Sequence, residues 1–82
     1  MKEVSLRLSL AVADGALRRV FGTVEHRGFH VLSCRIDSDA SGKQYHVRLV
    51  LSGEREPELL TRQLLRLHDV SEACVHADAA AA

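Results

Sequence analysis

The chain has 82 residues, 46% of them hydrophobic and 27% charged, and eleven basic side chains cancel eleven acidic ones. Disorder needs low hydrophobicity and high net charge, so this composition specifies a folded unit of a single small domain. Zero net charge without a basic run argues against a general nucleic-acid binder, and no apolar stretch approaches the ~20 residues that cross a bilayer.

Met1-Lys2-Glu3-Val4 opens no long apolar segment with a cleavage site, so no secretory leader is expected and a cytoplasmic address follows. In that compartment Cys34 and Cys74 are expected as reduced, buried or half-buried thiols. Size raises a difficulty. Ordering each residue costs ~1.5 kcal/mol and a short chain buries a modest fraction of its surface, so burial against another subunit is expected.

Val4, Leu6, Leu8, Leu10 and Val12 alternate with Ser5, Arg7, Ser9 and Ala11, which predicts a strand with one face in the core. Asp14 offers a helix N-cap and Gly15 a tight entry; Leu17, Val20, Phe21 and Val24 then form one amphipathic stripe. Gly28 stops that helix as a left-handed residue. A second strand is predicted over 29–36, and its apolar parity changes from Phe29 and Val31 to Leu32, Cys34 and Ile36, which places a bulge near Val31. Asp37 to Lys43 is a polar turn. Tyr45, Val47, Leu49 and Leu51 make a third strand, broken at Ser52-Gly53. Glu56-Pro57-Glu58 opens a second helix, with proline early and acids in the first turn. Its leucines (Leu59, Leu60, Leu64, Leu65, Leu67) exceed what one sheet contact requires and leave a surplus for a partner. A last strand runs from Ala73 to Ala77. Residues 1–78 are expected to form the domain and 79–82 a frayed alanine tail.

The order βαββαβ with helices of ~12–15 residues is that of the α+β ferredoxin-like sandwich: a four-stranded antiparallel sheet with both helices on one face. Its open face is expected to carry Arg7, Ser9, His46, Arg48, Cys74 and His76. Base-stacking RNA modules of this topology need outward aromatics on the central strands, and these strands offer none. His46, Cys74 and His76 would suit zinc by ligand type, but a structural site wants four ligands in close pairs, so no metal is expected. Phosphate-loop, dinucleotide-binding, His-Glu-x-x-His and Cys-x-x-Cys motifs are absent. Glu54, Glu56 and Glu58 fit a helix start better than a catalytic pair. A chain this small and without such motifs has little means of enclosing a substrate, so no catalytic residue is assigned.

Asp14-Gly15-Ala16-Leu17-Arg18-Arg19-Val20, followed by His26-Arg27-Gly28-Phe29-His30-Val31 and Ser33, resembles the signature of the ACT-domain family. Within that family the chain is similar to small subunits of acetolactate synthase of the isozyme II type. The resemblance implies a non-catalytic subunit that binds the large subunit and supports the first common step of valine, leucine and isoleucine synthesis. Thiamine diphosphate, Mg²⁺ and FAD would belong to that large subunit, and none to this chain. It also implies a homodimer and an effector position at the turn of Val12, Asp14, Gly15, Ala16 and Leu17, facing His30 of a neighbouring domain. A helix N-terminus favours a carboxylate there, and Gly15 permits close approach; as a cap and turn alone, the same residues would bind nothing. Where valine-binding relatives carry asparagines, this chain has Val12 and His30, and Asp14 adds a negative charge; these changes disfavour valine. Leu59, Leu65 and His30 are the candidate contacts for a partner, although an exposed His30 is equally an idle surface side chain. The alternative to a subunit is a free-standing sensor that binds an amino acid between two copies.

Overall fold

The computed structural model describes residues 2–76. The predicted strand end at Ala77, Asp78, the alanine tail and the side chain of His76 lie outside the described residues, as does Met1. Six elements follow in the expected order: β1 (Lys2–Ala11), α1 (Ala16–His26), β2 (His30–Ser38), β3 (Gln44–Gly53), α2 (Pro57–Leu65) and β4 (Val70–His76). The strands form one sheet in the order β2-β3-β1-β4, and every neighbouring pair is antiparallel. This is the ferredoxin-like βαββαβ sandwich.

Alternation decides which face meets the helices. Val4, Leu6, Leu8 and Leu10 of β1 lie opposite Leu51, Leu49, Val47 and Tyr45 of β3. All but Tyr45 are buried, together with Ala16, Val20 and Val24 of α1 and Leu60 and Leu64 of α2. Both helices therefore cover the same face. The helices have 11 and 9 residues, shorter than the ~12–15 their patterns suggest: α1 stops before Gly28 (φ 90°) as expected, and α2 ends at Leu65, leaving Leu67 in the turn that follows.

β3 corrects one expectation. Ser52-Gly53 does not break it but closes the ladder, with Lys2 opposite Gly53 and Glu3 opposite Ser52. Glycine is required at 53 by proximity: a Cβ there would stand 2.6 Å from Cδ1 of buried Phe29. The bulge predicted near Val31 is present as a shift in register between Val31 and Ser33, with Leu32 as the extra residue. It has a consequence along the rest of β2. Cys34 and Ile36 turn to the helix side, opposite Leu49 and Val47, while Arg35 and Asp37 turn to the open side. At the uncovered edge even the helix-side residues stay exposed, Cys34 and Ile36 among them. Cys74 is exposed too. The expectation of buried or half-buried thiols is thus wrong, because Cys34 sits on the uncovered edge strand β2 and Cys74 faces the open side of the sheet opposite Arg7. Local desolvation still raises the Cys34 thiol above its ordinary value.

Candidate functional site

The loop from β1 to α1 is built on Gly15. Its φ of 77° is left-handed, and it caps α1 without any side-chain hydrogen bond. Asp14 is therefore not the N-cap that the sequence suggested; its side chain is left to solvent while its backbone carbonyl accepts from Arg19 Nη2 at 3.1 Å. The Arg19 guanidinium also pairs with Asp69, beyond α2, and the Asp69 carbonyl accepts from the Ala11 amide at 2.8 Å. One arginine thus fastens the loop to the start of β4.

Above this turn lies an open cavity of about 310 Å³ lined by Ala13, Gly15, Ala16, Leu17, Arg18 and Tyr45. The Ala16 amide is taken by the Ala13 carbonyl at 3.1 Å. Among the described residues no backbone carbonyl accepts from the Leu17 or Arg18 amides. Two donors at the positive end of α1, with Arg18 beside them, suit a carboxylate. Val12 is 42% exposed and its amide bonds to the Lys43 carbonyl at 3.0 Å, so it extends the sheet and offers no polar side chain.

His30 is not at this site within one chain. β1 and β2 both run antiparallel to β3, hence parallel to each other. His30 pairs with Ser52, which pairs with Glu3, so it lies level with the start of β1, whereas Val12 follows its end. Nine residues, from Glu3 to Val12, at ~3.3 Å each separate the two levels.

The partner candidates are equally dispersed. Leu59 and Leu65 are 55% and 47% exposed, on the side of α2 that faces away from the core leucines Leu60 and Leu64. His30 is on the opposite face of the sheet, in line with Ser52 and Glu3.

On that open face a broader groove of about 560 Å³ runs across the strands. Arg7, Ser9, His46, Arg48 and Cys74 line it as expected, joined by Arg35, Asp37 and Glu72. The last three were legible only by carrying the Leu32 bulge through the register of β2 and by starting β4 at Val70. Ser9 Oγ lies 3.2 Å from His46 Nδ1, and Arg35 Nε donates to Asp37 Oδ2 at 3.2 Å. Among the described residues no three histidine, cysteine or acidic side chains gather as a metal would need; the His76 side chain lies outside them. Among the described residues no helix is long and apolar enough to cross a membrane.

Residues 12–73 match the ACT domain as a family. The chain is 29% identical over 75 residues to the acetolactate synthase isozyme 2 small subunit of Escherichia coli K12, covering 92% of this chain and 86% of that protein. The Shigella flexneri protein of the same name gives the same figures. Among solved structures, the acetolactate synthase small subunit of Thermotoga maritima superposes with a TM-score of 0.79 at 17% identity, over 92% of this chain and 47% of that one. The ACT domain of a GTP pyrophosphokinase from Chlorobium tepidum gives 0.74 at 10% identity, over 90% and 96%. At such identities the superpositions speak to the fold alone.

Proposed function

The chain belongs to the ACT-domain family, and on that premise we propose that it is a non-catalytic small subunit of an acetolactate synthase. It acts by contact, binding the thiamine-diphosphate-dependent large subunit in the cytoplasm and supporting the first common step of branched-chain amino-acid synthesis. The observation that carries this reading is the match to the Escherichia coli isozyme 2 small subunit, which runs through 86% of that protein and nearly all of this chain. Thiamine diphosphate, Mg²⁺ and FAD are assigned to the large subunit.

Physical features support a binding role. The domain is only 17 Å through its thinnest direction, one helix layer on one sheet, which leaves no depth to enclose a substrate. Leu59 and Leu65 present apolar surface on α2, the surface proposed to meet the large subunit. A partner that binds only the active form of an enzyme shifts the population toward it, without chemistry of its own. Two copies pair along the free edge of β2, where Leu32, Cys34 and Ile36 are exposed. That pairing composes an effector position from the Val12–Leu17 turn of one copy and His30 of the other.

The test is reconstitution. The large subunit is assayed alone and with this chain; co-elution and a severalfold rise in acetolactate formation are expected, and unchanged activity with separate elution overturns the proposal. The second reading, a free-standing sensor, draws on the Leu17 and Arg18 amides at the turn, which no backbone carbonyl among the described residues accepts from. Calorimetry separates the two: tight binding of valine or leucine by the isolated chain, without activation of a synthase, favours the sensor.

A further inference from the structure

On the open face of the sheet Arg35 of β2 lies opposite Arg48 of β3, and Arg48 opposite Arg7 of β1. With strands ~4.8 Å apart, these guanidinium stems stand in a row roughly 10 Å long. Like charges placed directly opposite one another destabilise a sheet. Arg35 is offset by Asp37, but among the described residues Arg7 and Arg48 have no ion-pair partner. A chain with no net charge has placed these two arginines side by side at the centre of its open sheet face. Folding does not account for them, since the core is on the other side. Nor does the effector turn, which sits at the end of the sheet beside α1.

We infer that this row is the seat of a carboxylate-bearing surface of a protein partner. Resting on the function proposed above, the inference names that partner as the large subunit and adds a charged contact to the apolar one on α2. The chemistry follows from guanidinium geometry: planar forks pair bidentately with carboxylates, and complementary charge fixes register and speeds encounter. The neighbouring row narrows the choice of occupant. It runs Asp37, His46, Ser9, Glu72, with acids at both ends. Those acids repel a continuous polyanion such as a nucleic-acid backbone, and no outward aromatic offers a base to stack on. A protein surface of mixed charge satisfies both rows, with carboxylates over Arg7 and Arg48 and a basic side chain near Glu72. A small anion in so open a groove would keep water on one side, whereas a protein surface excludes it and strengthens each pair.

The experiment titrates the full chain against the large subunit from the same organism at about 50 mM and about 300 mM NaCl, concentrations that shorten the screening length by more than half. Wild type, Arg7→Gln/Arg48→Gln and Glu72→Gln are compared. Wild type is expected to weaken with salt. The double variant binds on the order of tenfold more weakly at low salt and loses most of the salt dependence, while Glu72→Gln binds at least as tightly as wild type. The melting temperature of the double variant stays level or rises, because a repulsion has been removed, so weaker binding cannot be ascribed to unfolding. If wild type binds and the double variant matches it at both salts, the docking role is overturned and the subunit reading stands. Failure of wild type to bind the large subunit overturns both. Pyrophosphate is titrated in parallel into the isolated chain; if it shifts the Arg7 and Arg48 Nε resonances at micromolar concentration and the large subunit does not, the occupant is a soluble anion and the inference falls.

Discussion

Single residues hold the two ends of this fold in register, and each can be tested alone. Gly53 is glycine because the Phe29 ring occupies the space of its Cβ. Gly53→Ala forces either a shift of a buried aromatic or a bend in β3, and is expected to cost about 1–3 kcal/mol in urea unfolding. At the β2–β3 turn the Ser41 hydroxyl donates to the Asp39 carboxylate at 2.7 Å. That bond, helped by amides of Gln44, Lys43 and Gly42, holds the Asp39 carboxyl below its ordinary value. A carboxylate lowered in the folded state contributes stability above its unfolded value, and that contribution disappears as pH falls through the folded one. Ser41→Ala should therefore raise the Asp39 midpoint in an NMR titration and narrow the acid range of stability; an unmoved midpoint would mean that the backbone amides alone hold the charge.

At the scale of elements, α2 divides its leucines between two tasks. Leu60 and Leu64 are almost wholly buried, at 1% and 0% exposure, whereas Leu59 and Leu65 stand in solvent. Leu60→Ala or Leu64→Ala should cost about 2–5 kcal/mol of stability. Leu59→Ala and Leu65→Ala should stay within about 0.5 kcal/mol in the same urea titration and weaken only association with the large subunit. A large stability loss at Leu59 would refute the separation. β2 shows a different division. Its bulge turns Arg35 outward and Ile36 inward, yet at this edge strand Ile36 stays 38% exposed.

For the whole molecule, a two-layer sandwich leaves two strand edges, β2 and β4, and one sheet face available for contact. If two copies join along β2, mass action makes the melting temperature rise with protein concentration. Ile36→Lys, a charge placed at that edge, should abolish the dependence while leaving the monomer folded. A melting temperature independent of concentration in the wild type would refute pairing by β2. The apolar side of α2 and the arginine row lie on opposite faces of the sandwich, so one domain can touch two separate surfaces of an assembly.

Local pattern was enough for the elements, because period two and period 3.6 are properties of neighbouring residues. Val4 to Val12 marked β1, the leucine stripe marked α2, and the parity change at Val31 marked the bulge. The residues of the β1–α1 turn announced the family as well. What remained hidden depended on pairing between distant strands. The sequence could not show that His30 lies at the far end of the sheet from Val12, that Gly15 rather than Asp14 caps α1, or that both cysteines are exposed on edge strands. Nor could it show that Arg7, Arg35 and Arg48 share one line across three strands. Hydrophobic alternation sets which way a side chain points, but only the register of the ladder sets what stands beside it, and register is a property of the assembled sheet.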